Sequence, residues 1–246
     1  MNIKLKCTLL IIPLISNFAS LLSQLMANLT EVTYDFWKSR WDANETGWHR
    51  TNISRNIIKY WDLLKPKIKS TVFFPLCGKT LDMLWVLANG HSVVGVEFYE
   101  EPVFQFFDEN KIEFTVEEQS NYKLYKSIDN NLKIYVQDIF EFGINSNEKF
   151  DIIIDRGSFV ALKITLRDEY IKLLYKLLDL NGTIYFELLQ YDQSIFGGPP
   201  FSVSDDDFNI LMKNNHLNFQ VAHSGEYERQ IGGTDLHEII SLASKC

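Results

Sequence analysis

Charged side chains stand at the points where short apolar runs end, and their types define a small set of possible chemistries. Glu97 closes the run His91 to Phe98, 19 residues after Gly78. In a doubly wound sheet, a carboxylate there accepts the two hydroxyls of an adenosine ribose; the alternative is a solvated strand-end acid. Asp138 follows Leu132 to Val136. It either accepts from an adenine amino group, with Ile139 against the ring, or caps a helix. Asp155 and Arg156 close the run Phe150 to Ile154. They form either a structural ion pair or a mouth where the arginine binds a carboxylate bidentately.

Phosphate-bearing ligands fit poorly. The turn Pro75-Leu76-Cys77-Gly78-Lys79 keeps one glycine where a dinucleotide site needs three, and Lys79-Thr80 lacks the partner glycine of a P-loop. Adenine, ribose and a carboxylate without phosphate describe S-adenosylmethionine, which leaves as S-adenosylhomocysteine after methyl transfer. Cys77 reads as a small buried hydrophobe rather than a nucleophile, since no histidine lies near it in sequence.

These residues need a scaffold, and the chain is long enough for one. Its 246 residues are 46% hydrophobic and 23% charged, as in an ordinary globular domain. With 24 Lys and Arg against 32 Asp and Glu, the net charge of −8 gives no support to a nucleic-acid partner. Cys7, Cys77 and Cys246 form neither a disulfide framework nor a metal cluster, so no metal is expected. Residues 1–30 are expected to be an N-terminal extension and residues 31–246 one domain. Within the extension, Lys4, Lys6 and the apolar run Thr8 to Ile15 resemble a signal peptide without a good cleavage site, too short to span a membrane. Residues 1–25 are retained, cleaved or bypassed by initiation at Met26; a cytoplasmic protein is expected, the compartment that suits its cysteines, with the secretory pathway as the alternative if they act as a signal peptide.

Strands are expected at Thr71 to Leu76, His91 to Phe98, Leu132 to Val136, Phe150 to Ile154 and Thr183 to Leu189. Helices are expected between them, including Glu101 to Asn110 and Arg167 to Leu180. Continuous apolar strands are buried on both faces, which indicates a parallel sheet. Phe219 to Tyr227 and Leu236 to Ala243 form a late hairpin, and Asp205-Asp206-Asp207 charges the first turn of a helix. The expected fold is α/β: a Rossmann-like, doubly wound, seven-stranded sheet, mostly parallel, with an antiparallel C-terminal edge hairpin and helices on both faces.

The chain also resembles the thiopurine S-methyltransferase family from about residue 34 to its end. The likeness is carried by Phe36-Trp37 with Trp41, Gly47-Trp48-His49, Phe73-Phe74-Pro75-Leu76-Cys77-Gly78-Lys79, Gly90-His91 through Glu97, Asp155-Arg156-Gly157 and Gly198-Pro199-Pro200-Phe201. The resemblance implies that Trp37 and Trp48 fold over the cofactor, Leu76 contacts it, Glu97 binds its ribose, and Asp138 and Ile139 flank its adenine. It places Arg156 near the sulfonium and the substrate, Pro199 and Pro200 along a substrate wall, and Arg229 as a second cation facing the substrate. Trp48 stands where vertebrate members carry a smaller ring, so a narrower pocket is expected. The implied activity is methyl transfer to the sulfur of a small aromatic or heterocyclic thiol by a monomeric enzyme. The alternatives are a halide, thiocyanate or selenium or tellurium oxyanion methyltransferase of the same superfamily, or a binding protein without catalysis.

Overall fold

The computed structural model describes residues 32–246. The expected extension, its signal-like run and Met26 lie outside the described residues.

Thr33 accepts a hydrogen bond from the Phe36 amide and so starts α1 (Tyr34–Asp42), a helix with no buried residue. Ser54 caps α2 (Arg55–Tyr60) in the same way. β1 (Thr71–Phe74) leads through the glycine turn into α3 (Asp82–Ala88), then β2 (Ser92–Glu97) and α4 (Glu100–Glu109). Next come β3 (Phe114–Glu118), β4 (Lys123–Ser127), β5 (Leu132–Val136), α5 (Ile139–Asn145) and β6 (Phe150–Arg156). The chain finishes with α6 (Ile164–Leu177), β7 (Leu178–Gln190), α7 (Asp205–Asn214), β8 (Leu217–Ile231) and β9 (Thr234–Lys245).

Among the described residues, all nine strands join one sheet in the order β3-β4-β5-β2-β1-β6-β7-β9-β8. The central strands β5, β2, β1, β6 and β7 run parallel, and β9 and β8 close one edge antiparallel. The doubly wound α/β architecture and its edge hairpin are therefore present, but nine strands replace the expected seven. The two extra strands, β3 and β4, pair antiparallel at the opposite edge. Their residues Glu117, Glu118, Lys123 and Lys126 left no apolar run to read, because an edge strand needs only one covered face. Helix α6 also stops at Leu177 instead of Leu180, since Leu178 is already extended and pairs with Phe150. Asp205, Asp206 and Asp207 do occupy the first turn of α7, capped by Ser204.

Alternation along the central strands explains the continuous apolar runs. Phe73 faces one core cluster with Val94, Val96 and Phe150, while Val72 and Phe74 face the other with Val93, Ile134 and Ile154. Phe73 stacks on Phe150 at 4.6 Å between ring centroids. Gly95 is required by close approach: a Cβ there would come within 2.8 Å of Cys77 Sγ. Cys77 is buried, and burial pushes its thiol well above the usual range, as a packing residue and not a nucleophile.

Candidate active site

The parallel strands point their carboxyl ends the same way, and the order β2-β1-β6 places the reversal of winding beside β1. The turn after β1 is tight: Leu76 and Gly78 have φ of +44° and +50°. A leucine in the left-handed region costs about 1–3 kcal/mol, a strain that concentrates at functional turns. The turn is fixed by Cys77 N–H donating to the Val96 carbonyl at 2.9 Å and by Ser158 Oγ donating to the Pro75 carbonyl at 2.6 Å.

Glu97 sits beneath this turn, 4% exposed. Its carboxylate accepts from the amides of Gly78 (2.9 Å), Phe98 and Tyr99 (both 3.0 Å). Burial pushes it up to about 7 against the pull of those three amides. A carboxylate has roughly four acceptor positions, so acceptor capacity remains. Beyond β5, the Gln137 amide donates to the Glu97 carbonyl, and the buried Gln137 Nε2 has no partner. Asp138 is exposed and caps α5, its Oδ1 accepting from Phe140 (2.8 Å) and Glu141 (3.2 Å). The cap accounts for one oxygen and leaves Oδ2 for another use. Ile139 is buried next to it.

Aromatic rings cover the turn. Trp37 and Trp48 meet edge to face at 5.0 Å, and Trp41 meets Trp48 at 5.7 Å. Trp41 lies on the turn itself, 3.2 Å from where a Gly78 Cβ would stand. Lys79 turns away to Gln105 (2.8 Å) and Glu109 (2.7 Å) on α4 and adds no phosphate cradle.

Arg156 does not pair with its neighbour Asp155. Successive residues of a strand face opposite ways, so Asp155 accepts from Tyr170 (2.7 Å) and the Phe159 amide (2.9 Å) in one core. Arg156 donates on the other side to Asp82 (2.7 Å) and Thr80 (3.0 Å). Burial works against its charge, but Asp82 and Glu187 outweigh that and hold the guanidinium above its ordinary value. Asp82, 1% exposed, also accepts from the Ser54 amide at 2.7 Å. The ion pair thereby ties β6 to α3 and to the start of α2.

Four charged residues absent from the sequence expectations share this side. Glu187 is the register partner of Arg156, and Glu238 lies two residues along β9 from the partner of Glu187. Burial raises Glu187 to about 7, with Arg156 opposing and Glu238 adding to the rise. Arg50, half-buried, contacts the Tyr227 hydroxyl, and burial, Arg229 and Arg156 push its guanidinium below the ordinary value. Asp82 is the fourth. Lone acids inside the apolar runs Thr183 to Leu189 and Leu236 to Ala243 were the available signal for Glu187 and Glu238. Arg229 is exposed on β8, with Nη1 3.5 Å from the Gly47 carbonyl beside Trp48. Pro199 and Pro200 are half-buried in the loop after β7, which is anchored by Phe201 N–H donating to the Val160 carbonyl at 2.6 Å.

Two hollows of about 270 and 530 Å³ lie elsewhere, against Leu188, Phe208 and Ile239 and beside Gln190, Asp205 and His237. They open beside the opposite face of β7 from Glu187 and touch none of Gly78, Glu97, Asp138 or Arg156. Convergent functional groups outweigh hollow size in locating chemistry, which favours the strand ends. Among the described residues, no group of three His, Cys, Asp or Glu is placed to hold a metal ion, and no helix is long and apolar enough to cross a membrane.

A family model described as thiopurine S-methyltransferase matches residues 32–234. A probable thiopurine S-methyltransferase of Danio rerio is 36% identical over 180 residues, covering 71% of this chain and 77% of that one. The Aliivibrio fischeri (strain MJ11) thiopurine S-methyltransferase is 37% identical over 179 residues, covering 72% and 82%. Among solved structures, the fold is similar to Burkholderia thailandensis 1,6-didemethyltoxoflavin-N1-methyltransferase with bound 1,6-didemethyltoxoflavin and S-adenosylhomocysteine (TM-score 0.60, 14% identity, covering 100% and 94%). It is also similar to TehB from Haemophilus influenzae (TM-score 0.57, 18% identity, covering 80% and 64%).

Proposed function

Because the chain belongs to the thiopurine S-methyltransferase family, we propose that it methylates the sulfur of a small aromatic or heterocyclic thiol from S-adenosylmethionine. The observation that carries this reading is Glu97, buried under the β1 turn with acceptor capacity to spare, together with the orphaned side-chain donor of Gln137, whose backbone N–H donates to the Glu97 carbonyl. A nucleoside fits that pair: ribose hydroxyls donate to the carboxylate, and an acceptor atom satisfies the amide. In this reading Asp138 Oδ2 takes the adenine amino group, Ile139 backs the ring, Leu76 lies along the cofactor, and Trp37 and Trp48 exclude water above it.

When bound, S-adenosylmethionine supplies a sulfonium-activated methyl group. The chain's residues then have to hold an acceptor in line, an effect worth up to roughly 7–11 kcal/mol of the barrier. Pro199 and Pro200 form a stiff wall, Arg229 adds positive charge at the entrance beside Trp48, and Arg156 favours an anionic acceptor. A thiol of low pKa arrives ionised and needs no base. Residues 31–246 form the catalytic unit in this reading.

The test is transfer of labelled methyl to a panel of aryl and heterocyclic thiols, beside halide and oxyanion acceptors. Labelled thioether as the main product is expected. Label appearing only in methyl halide or a methylated oxyanion refutes the sulfur assignment, and no transfer with intact cofactor binding points to a binding protein.

A further inference from the structure

Three strand ends place one charged side chain each on the same face: Arg156 on β6, Glu187 on β7 and Glu238 on β9. Glu238 is 6% exposed. One of its oxygens accepts from Asn56 Nδ2 at 2.7 Å on α2, while Oε1 is buried without a partner. Among the described residues, Glu187 accepts one hydrogen bond, from Tyr185 at 3.1 Å. The groups bearing on Glu187 are Tyr185 on its own strand, Arg156, Glu238, Asp82 on α3 and Arg50 ahead of α2. Fully ionised, the three acids exceed the two arginines by one negative charge. Glu238 is buried and Glu187 half-buried, and under-bonded charges so placed are costly; the remedy is a donor or a proton.

We propose that Glu187, with Glu238 behind it, takes the proton from a neutral acceptor thiol as its sulfur is methylated. This rests on the thiol reading above and extends it to acceptors that are not already ionised. An ordinary thiol has a pKa near 8.5 and is mostly protonated at neutral pH. In the step, the S–H bond breaks and its proton passes to the Glu187 carboxylate. The freed sulfur pair forms the new bond to the methyl carbon as the donor's carbon–sulfonium bond breaks. The products are a neutral thioether, neutral S-adenosylhomocysteine and a protonated carboxyl that returns its proton to water. Glu238 is a positioning residue: its charge favours the protonated form of Glu187. Arg156 opposes it, which keeps the carboxylate able to release the proton near neutral pH.

The test compares Glu187→Gln with the unaltered protein on two acceptors: an aryl thiol ionised at pH 7 and an alkyl thiol still protonated there. The ratio of kcat/KM for alkyl over aryl thiol should fall about a hundredfold in the variant, within the usual range for general-base catalysis. In the unaltered protein, alkyl-thiol kcat/KM should level off from about pH 7; in the variant it should keep climbing to the thiol's own pKa. Glu238→Gln should move the start of that plateau to lower pH. Without any acceptor, infrared difference spectra of the unaltered protein against Glu187→Gln should show the loss of one carboxyl titrating near neutral pH, with the Glu97 and Asp155 signals retained in both, and S-adenosylhomocysteine calorimetry reports that the variant is folded. An unchanged ratio with matching pH profiles overturns the proposal and leaves the thiol reading standing. An unaltered protein that binds the cofactor but methylates neither thiol overturns both.

Discussion

The two halves of the strand-end mouth solve the problem of buried charge differently. On the β1, β2 and β5 side, Glu97 is held by backbone amides of its own turn and the neighbouring one, and Asp138 by the helix that follows it. On the β6, β7 and β9 side, Arg156, Asp82, Glu187, Glu238 and Arg50 act on one another across four separate elements and one loop: Asp82 and Glu187 hold Arg156 charged, while Glu238 works against the charge of Glu187 and Arg156 against that of Arg50. Backbone donors make a seat whose shape does not depend on side chains elsewhere. A side-chain charge network can be retuned residue by residue, which fits the acceptor side of the site in the function proposed above.

From this contrast, the largest stability effect belongs to the charge network. Arg156→Ala leaves Asp82 buried without its cation, and by thermal or urea denaturation it should cost about 3–5 kcal/mol, together with a raised KM and lowered kcat/KM for an aryl thiol. A variant as stable as the parent would show that the network is not closed as described. Glu97→Gln comes next: its amide side chain cannot reproduce a carboxylate's acceptance from three amides and a ribose. S-adenosylhomocysteine affinity should fall by about 2 kcal/mol, roughly thirtyfold, as for other charged hydrogen bonds. Calorimetry that finds equal affinity contradicts the seat.

The pH dependence of stability sharpens the comparison. Burial pushes Glu97 and Glu187 up to about 7 and Asp155 up to about 6 in the folded protein, against roughly 4 in the unfolded chain. Between those values the folded state holds more protons, so their contribution is complete below the unfolded values and is lost as pH rises toward 7. The Tm should therefore fall from about pH 5 to pH 8, and Glu187→Gln should blunt that fall. Asp42 and Asp168, held low by Lys38 and Lys172, act only below this window. The smallest effect is Asp138→Ala, about 1 kcal/mol of stability from the lost cap, with a modest loss of cofactor affinity.

The same contrast explains what could be read from the sequence. Glu97, Asp138 and the β1 turn were legible because their partners are a few residues away or are fixed by strand order. Arg156 was found at its strand end, but its partner Asp82 is 74 residues distant and could not be read from a neighbour rule that favoured Asp155. Trp37 and Trp48 were chosen through the resemblance, whereas Trp41, which lies on the turn, was part of the same likeness but was given no role. Arg50, Glu187 and Glu238 converge only once β7 and β9 pair and α2 packs across them. Strands β3 and β4 escaped for a related reason: charged edge strands have no apolar period of their own.

The most direct test of the central claim is a crystal structure with S-adenosylhomocysteine bound. Both ribose hydroxyls should lie within hydrogen-bonding distance of Glu97, with the adenine between Ile139 and the turn at Leu76 and the amino-acid tail under Trp37. A ligand whose ribose lies away from Glu97, in the hollow beside Phe208 and Ile239 for example, would contradict it.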